Sequence, residues 1–311
     1  MTSARSDLTN YLIQIFDHEF NPIYMPLNIT YGVSTWLWTS PFATTSINEL
    51  FPKVVGMGFD TVEVALEDPK LVDSKILKKA LADYNLNVVI CGAFGPTRDL
   101  THDDPAVHAQ CFSYIDQCLD HCAILETGFF AGPMYSAVGK ARMVSADQRK
   151  REWSLAVKNL HKVCEMADRR GIKIALEPLN RFESDLVNTA EDAIRLIRDI
   201  NHPAAKIMLD SFHMSIEERD IEKAIIACGK DLIHMQVSEN YRGTPGTGQT
   251  NWAAYKKGLE AINYKGTISI ESFTTHNQEL AGAVCFWRPM AESQDAFATD
   301  GLRFLKNTFS T

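Results

Sequence analysis

The sequence reads KIALEPLN at residues 173–180, TAEDAIRLIRD at 189–199 and KIMLDSFHM at 206–214. The first and third stretches contain short apolar runs, and the second has the pattern of an amphipathic helix. Strand, helix and strand in this order form the unit of a parallel sheet, because parallel neighbours need a crossover connection. The run Ile207-Met208-Leu209 is continuously apolar, as expected of a strand that is buried on both faces. This stretch predicts an α/β protein.

The same unit repeats along the chain. Eight runs have the length and composition of strands: Ile29–Trp38, Thr61–Leu66, Asn87–Phe94, Gly128–Gly132, Lys173–Asn180, Lys206–Met214, Leu232–Glu239 and Thr267–Phe273. Eight helical segments accompany them: Ser46–Gly56, Asp73–Tyr84, Asp104–Leu125, Ala146–Arg170, Thr189–Asp199, Glu217–Ala227, Trp252–Ile262 and Asp295–Lys306. Eight such units predict a single (β/α)8 TIM barrel over residues 29–311, preceded by an N-terminal extension at residues 1–28. The Gly-rich turn of a dinucleotide fold is missing after the first strand, so no nucleotide cofactor is expected.

Composition narrows the class of protein and its partners. The chain has 311 residues, a formal net charge of −8 and 45% hydrophobic residues, which is typical of a soluble globular protein. A net acidic chain without a Lys/Arg cluster is a poor match for nucleic acid. The first 28 residues lack the pattern of a secretory signal, and no apolar run approaches the roughly 18 residues of a membrane span. Seven scattered cysteines without a paired motif favour a reducing, cytoplasmic location.

In four consecutive strand runs, a mostly apolar stretch ends in a polar residue, at Glu177, Asp210, Gln236 and Glu271. The active site of a TIM barrel lies at the carboxyl ends of its strands, so we expect these side chains to converge. Any one of them alone is more often a helix cap or a loop residue, but four strands that end alike favour a site. Three converging carboxylates repel one another unless a cation lies between them, and an all-oxygen donor set suits a hard divalent ion.

Further polar and aromatic residues follow the strand ends. Glu183, His213 and Arg242 come shortly after the expected ligands, where they could reach the oxygens of a hydroxylated substrate. Trp36 and Trp38 close the first strand run, and Trp287 lies in a late loop; these rings could pack against a sugar or simply fill the barrel mouth.

The segments that carry these residues resemble the sugar isomerase/epimerase family with the xylose-isomerase-like barrel, and most closely its ketose 3-epimerases, the tagatose and psicose epimerases. They are Glu177-Pro-Leu-Asn-Arg-Phe-Glu183, Leu209-Asp210-Ser-Phe-His213 and Ser269-Ile-Glu271-Ser-Phe273. The resemblance implies one divalent ion, Mn²⁺ in the first place and Co²⁺ or Mg²⁺ as alternatives, bound by Glu177, Asp210, residue 236 and Glu271. It also implies that Glu183, His213 and Arg242 hold the substrate.

Position 236 departs from that pattern. The ketose 3-epimerases usually carry a metal-binding histidine where this chain has Gln236, whereas similar enzymes that isomerise hydroxypyruvate carry glutamine. The shared chemistry is removal of a proton beside a carbonyl to form an enediolate, with Glu177 and Glu271 as the catalytic carboxylates on the two faces of the substrate.

Two enzyme classes stay open on the sequence alone. The first is an isomerase or epimerase acting on a ketose or keto-sugar. The second is a lyase that eliminates a β-substituent from a 3-oxo-sugar or 3-oxo-glycoside, like inosose dehydratases or the two-subunit enzymes that cleave C-glycosides. A homo-oligomer is expected, or a hetero-oligomer with a second subunit. A multi-zinc nuclease on a related barrel is disfavoured by the charge of −8 and the nine histidines, and a non-catalytic sugar-binding protein by the intact carboxylate pair.

Overall fold

A computed structural model of the chain describes residues 27–310. Eight parallel strands close into a barrel in sequence order: β1 Thr30–Ser34, β2 Thr61–Leu66, β3 Asn87–Gly92, β4 Phe129–Gly132, β5 Lys173–Leu176, β6 Ala205–Asp210, β7 Leu232–Val237 and β8 Thr267–Ile270. The barrel closes because β1 pairs in parallel with both β2 and β8. The predicted (β/α)8 barrel is confirmed. The predicted extension at 1–28 lies outside the described residues, apart from Leu27 and Asn28.

Helices follow the strands around the outside of the barrel. They are α1 Ile47–Met57, α2 Ser74–Tyr84, α3 Pro105–Leu125, α4 Ala146–Asp168, α5 Ala190–Ile200, α6 Ser211–Glu217, α7 Ile221–Cys228, α8 Trp252–Ala261, α9 Gln278–Ala283 and α10 Gln294–Phe309. Several begin at side chains that cap the first turn. Thr189 and Asp192 form a reciprocal capping box at the start of α5, and the hydroxyl of Ser145 accepts a hydrogen bond from the backbone of Gln148 at the start of α4.

The first strand is shorter than predicted. The interpretation of residues 29–38 as one strand is wrong beyond Ser34, where β1 gives way to a 3₁₀ turn at Thr35–Leu37. The hydroxyl of Ser34 accepts a hydrogen bond from the backbone N–H of Trp36, which bends the chain away from the ladder. As a result, Trp36 and Trp38 lie on a turn and not at a strand end.

The sixth unit also departs from the prediction. β6 ends at Asp210, because the Asp210 carboxylate accepts a hydrogen bond of 2.7 Å from the backbone N–H of Phe212 and thereby caps α6. The predicted helix at 217–227 is therefore two helices, with Glu217 in the first and a new cap at Asp220 for the second. His213 consequently lies on a helix, in its first turn.

The apolar residues of the described chain include a large core and a small cluster inside the barrel. The larger core lies between the strands and the surrounding helices, and it includes the buried thiols of Cys111, Cys118 and Cys122 on α3. The interior of the barrel holds a much smaller cluster, formed by Cys91, Ala131, Ala175 and Met208. Because these side chains are mostly small, the interior leaves room for polar residues at the carboxyl ends of the strands.

Across residues 27–310, the structure contains no helix with both the length and the apolar character needed to cross a membrane.

Candidate active site at the carboxyl ends of the strands

The four strand-end residues lie at one rim of the barrel. Glu177 directly follows β5, Asp210 ends β6, Gln236 is the fifth residue of β7, and Glu271 directly follows β8. Asp210 and Gln236 are register partners on neighbouring strands. All four are buried, with exposed fractions between 0% and 5%. Buried polar side chains ordinarily have hydrogen-bond partners, and three of these four contact one another or Arg242.

Arg242 links two of the carboxylates. Its Nη1 donates to Asp210 Oδ2 at 2.6 Å and to Glu271 Oε2 at 2.7 Å. Glu271 also accepts, on Oε1, a hydrogen bond of 2.9 Å from Gln236 Nε2. Glu177 joins the group through Asp210 and His213, since the three residues offer ligand atoms that all lie within 4.8 Å of one another. The structure therefore brings together all four residues that the sequence singles out.

The loop after β7 positions Arg242. The buried carboxylate of Glu239 accepts hydrogen bonds from the backbone of Gly246 at 2.7 Å and from Trp252 Nε1 at 2.8 Å, which ties the loop to α8. Arg242 itself has a left-handed backbone, with φ of 62°, and its carbonyl accepts a hydrogen bond from the Ser272 hydroxyl. The guanidinium lies 4.2 Å from the centre of the Phe212 ring. This packing holds a positive charge over the carboxylates.

Donor groups approach both ring nitrogens of His213. Its Nδ1 accepts a hydrogen bond of 3.0 Å from the backbone N–H of Asn180, and the Asn180 side-chain nitrogen lies 2.8 Å from the same atom. A neutral imidazole that accepts on Nδ1 carries its proton on Nε2. That Nε2 lies 3.6 Å from Glu177 Oε1 and 3.2 Å from Arg242 Nη2. Burial, followed by the charge of Arg242, lowers the pKa of His213 and so favours the neutral imidazole.

The carboxylates differ in how their surroundings affect them. In the metal-free protein, burial raises the pKa of Glu177 well above its usual range, and the charges of Glu271 and Asp210 raise it further. Burial is also the main cause of the raised pKa of Glu271. For Asp210, burial is the largest single influence and raises the pKa, but the charges of Arg242 and His213 and the hydrogen bonds to the carboxylate together lower it. One carboxylate is thus kept ionised while two are driven toward protonation unless a cation balances them.

The site opens into a cavity of about 680 Å³. Among the residues that line it are Glu177, Glu183, His213, Arg242, Glu271 and Trp36. Asn180 orients Glu183 through a hydrogen bond of 2.8 Å from its Nδ2 to Glu183 Oε1. A larger and more open hollow, of about 920 Å³, lies between α3 and α4 on the outside of the barrel, and none of the strand-end residues line it.

The three predicted substrate-binding tryptophans lie in different surroundings. Trp36 lines the cavity beside Phe273, with ring centres 5.7 Å apart. Trp38 instead donates from Nε1 to Asp295 at the start of α10, at 2.7 Å. Trp287 is 72% exposed. Neither Trp38 nor Trp287 is among the residues that line this cavity, whose aromatic lining residues are Trp36, Phe94 and Phe273.

Glu63 is a residue of this site that our sequence reasoning missed. It lies in the middle of β2, is fully buried, and accepts hydrogen bonds from Gln236 and from His234. A signal was present in the run Thr61-Val-Glu-Val-Ala-Leu66, because a carboxylate inside an otherwise apolar strand must have a buried partner. The partner is 173 residues away along the chain, so the sequence alone does not identify it.

Comparison with known proteins agrees with this geometry. The family described as xylose isomerase-like TIM barrel matches residues 51–307. The chain belongs to this family. Within it, a probable ketose 3-epimerase of Synechocystis is 30% identical over 91% of this chain and 98% of its own length. A 3-dehydro-D-guloside 4-epimerase of Escherichia coli is 29% identical over 74% of this chain and 88% of its own.

The barrel is also similar to solved structures of the family. The crystal structure of a D-allulose 3-epimerase from Methylomonas, in complex with D-allulose, has a TM-score of 0.85 and 28% identity, and covers 91% of this chain and 98% of the other. The predicted resemblance to ketose 3-epimerases is confirmed, and so is the prediction of an enzyme of the epimerase type.

Proposed function

We propose that this xylose isomerase-like barrel epimerises a ketose or keto-sugar at the carbon next to its carbonyl, with one divalent ion held by Glu177, Asp210, Gln236 and Glu271. The observation that carries the proposal is the pair of buried carboxylates, Glu177 and Glu271, at the rim of one cavity with Asp210 and Gln236 between them on the barrel. Relatives that act on ketoses, and a relative crystallised with D-allulose, support the substrate class.

The donor set fits a hard ion. Gln236 Oε1 is buried and has no hydrogen-bond partner among residues 27–310, whereas a buried carbonyl oxygen ordinarily has one. We assign His213 to substrate binding and not to the ion, because its Nε2 lies 3.2 Å from the guanidinium of Arg242, whose positive charge opposes a cation at that atom. Two glutamates, one aspartate and an amide oxygen suit Mn²⁺, Mg²⁺ or Co²⁺ better than a thiolate-seeking ion, and we propose Mn²⁺.

The chain's own groups account for the proton transfers. When bound, the ion supplies positive charge that stabilises the oxygens of an enediolate. Either Glu177 or Glu271 removes the proton from the carbon beside the carbonyl, and the other returns a proton to the opposite face, which inverts that carbon. His213 donates from Nε2 to a substrate oxygen, Arg242 does so from its guanidinium, and Glu183 accepts from a hydroxyl. The cavity volume of about 680 Å³ falls within the range of about 300–1,000 Å³ that is usual for small-molecule sites.

Solvent exchange tests this function directly. We expect that the protein loaded with Mn²⁺ and incubated in D₂O with D-allulose or L-ribulose forms a second ketose that carries one deuterium at carbon 3, without loss of mass otherwise. Nuclear magnetic resonance and mass spectrometry report both changes. The same protein treated with a chelator is the control and should produce neither. Release of an aglycone from 3-oxo-glycosides, with no exchange on free ketoses, would contradict epimerisation and favour the lyase alternative.

Thermal stability tests the metal site without turnover. Because the pKa values of Glu177 and Glu271 are raised in the metal-free protein, their contribution to stability is present in full below the ordinary glutamate value of 4.5 and is lost as pH rises through the raised values. We expect the melting temperature of the chelated protein to fall from about pH 5 to about pH 8. Mn²⁺ should raise it more at pH 8, where its ligands are deprotonated. An equal effect of Mn²⁺ at both pH values would argue against these ligands.

A further inference from the structure

Three polar side chains cross the interior of the barrel below the cavity. Glu63 on β2 accepts a hydrogen bond of 2.5 Å on Oε1 from Gln236 Nε2, and its Oε2 lies 2.6 Å from His234 Nε2. All three residues have no exposed surface. β2 and β7 are not neighbours, since β1 and β8 lie between them in the sheet, so this contact spans the interior.

Glu63 sets the orientation of the Gln236 amide. A carboxylate only accepts hydrogen bonds, so the side of the amide that faces Glu63 must be its NH₂ group. The same NH₂ group donates to Glu271 Oε1 at 2.9 Å. With both donor positions used by carboxylates, Oε1 points elsewhere, and it has no partner within the described part of the chain. A buried carbonyl oxygen without a hydrogen-bond partner destabilises the folded protein, so this orientation needs a reason.

Because of its surroundings, Glu63 would destabilise the folded barrel if its role were purely structural. Barrel interiors are usually filled by branched apolar side chains, and the neighbouring interior residues here are the small cluster that includes Cys91, Ala131 and Ala175. A carboxylate in that position loses its hydration and must be compensated by His234 and Gln236. An apolar side chain would fill the same space without this cost. The presence of a carboxylate is explained if it serves the cavity above it.

We propose that Glu63 is a positioning residue of the metal site, which holds Gln236 with Oε1 directed at the ion while His234 fixes the second carboxylate oxygen. This inference rests on the proposed function, in which Gln236 is a ligand. Groups that orient a ligand from behind typically change metal affinity by about 10–100-fold when they are replaced. Glu63 therefore acts on the ion through Gln236 and does not touch the substrate.

A double-mutant cycle on Mn²⁺ affinity, measured by titration calorimetry, tests this role without using turnover. Glu63→Gln keeps the shape but cannot accept from both Gln236 and His234 in their present orientations, so we expect Mn²⁺ to bind about 10–100-fold more weakly. Gln236→Ala should also weaken binding. In the double variant, Glu63→Gln should add less than about threefold to the effect of Gln236→Ala, because a residue that acts through Gln236 has nothing left to position.

The controls separate this role from a loss of folding. Glu152→Gln is a matched change, because Glu152 is 2% exposed, paired with Arg142 and not among the residues that line the cavity, and it should leave Mn²⁺ affinity unchanged. If Glu63→Gln unfolds, Glu63→Asp replaces it in the test, because aspartate keeps the charge on a shorter side chain. We expect Glu63→Asp to fold and to bind Mn²⁺ at least about tenfold more weakly than the wild type. Wild-type affinity in Glu63→Asp would overturn the positioning role.

The outcomes also distinguish this inference from the proposed function. Unchanged Mn²⁺ affinity in Gln236→Ala would overturn the ligand set itself, and the role of Glu63 with it. Weaker binding in Gln236→Ala, combined with unchanged binding in Glu63→Gln or with fully additive effects in the double variant, would overturn only the role of Glu63.

Discussion

Replacing Glu271 by glutamine is expected to lower turnover of a ketose by about 10²–10⁴-fold while Mn²⁺ still binds. Glutamine has the shape of glutamate and can offer a carbonyl oxygen to the ion, but it cannot accept the proton that leaves the substrate carbon. Glu271 is buried beside the cavity, and burial excludes water that could replace it as a base. The loss should therefore fall on kcat rather than on KM.

Steady-state kinetics and Mn²⁺ titration of the same variant check this expectation. Deuterium exchange at carbon 3 should slow together with turnover, because both depend on the same proton transfer. Glu152→Gln, the buried carboxylate change outside the cavity, should leave turnover within a few-fold of wild type. Near-normal turnover in Glu271→Gln with Mn²⁺ bound would remove Glu271 from proton transfer and leave Glu177 as the sole candidate of the pair.

Replacing Arg242 by methionine is expected to lower the free energy of unfolding of the metal-free protein by about 3–5 kcal/mol at neutral pH. Arg242 is 7% exposed, and its Nη1 bridges Asp210 and Glu271. Methionine fills part of the volume but leaves two buried carboxylates without their positive partner. Bound Mn²⁺ restores positive charge next to the same oxygens, so the ion should stabilise the variant more than it stabilises the wild type.

Urea unfolding with a chelator, and again with saturating Mn²⁺, measures both effects. Arg303→Met is the matched control, because Arg303 forms an exposed pair with Asp300 on α10 and its loss should cost no more than about 1 kcal/mol. An equally small loss in Arg242→Met would mean that the guanidinium is not what balances the carboxylates in the metal-free protein. Equal stabilisation of variant and wild type by Mn²⁺ would mean that the ion and Arg242 act on different groups.

The alternation of apolar strands and amphipathic helices was enough to predict the barrel, because each element can bury its apolar face only against the others. The polar residues at the strand ends could also be predicted from the sequence. Glu177, Asp210 and Glu271 each follow a run of three or more mostly apolar residues, and the closure of a barrel brings such ends to one rim whatever the details of packing. Those signals are local, so one sequence carries them.

Strand boundaries were harder to predict from the sequence where a side chain accepts a backbone N–H group and so ends the strand. Ser34 and Asp210 both look like strand residues by composition, but their side-chain oxygens accept backbone N–H groups and start a turn or a helix. The consequence for the site is specific. Trp36 reaches the cavity while Trp38 turns to Asp295, although the two are only two residues apart.

The sequence by itself determined the closed barrel of eight parallel strands and the acidic rim, since hydrophobic period and strand-end polarity depend on neighbouring residues along the chain. Only the tertiary structure decided which groups those carboxylates meet: Arg242 between Asp210 and Glu271, and Glu63 behind Gln236. The physical reason is that the pairing register of the strands decides which side chains meet inside the barrel. Side chains from β2 and β7 meet inside the barrel only after every intervening strand has paired, and no local pattern encodes that contact.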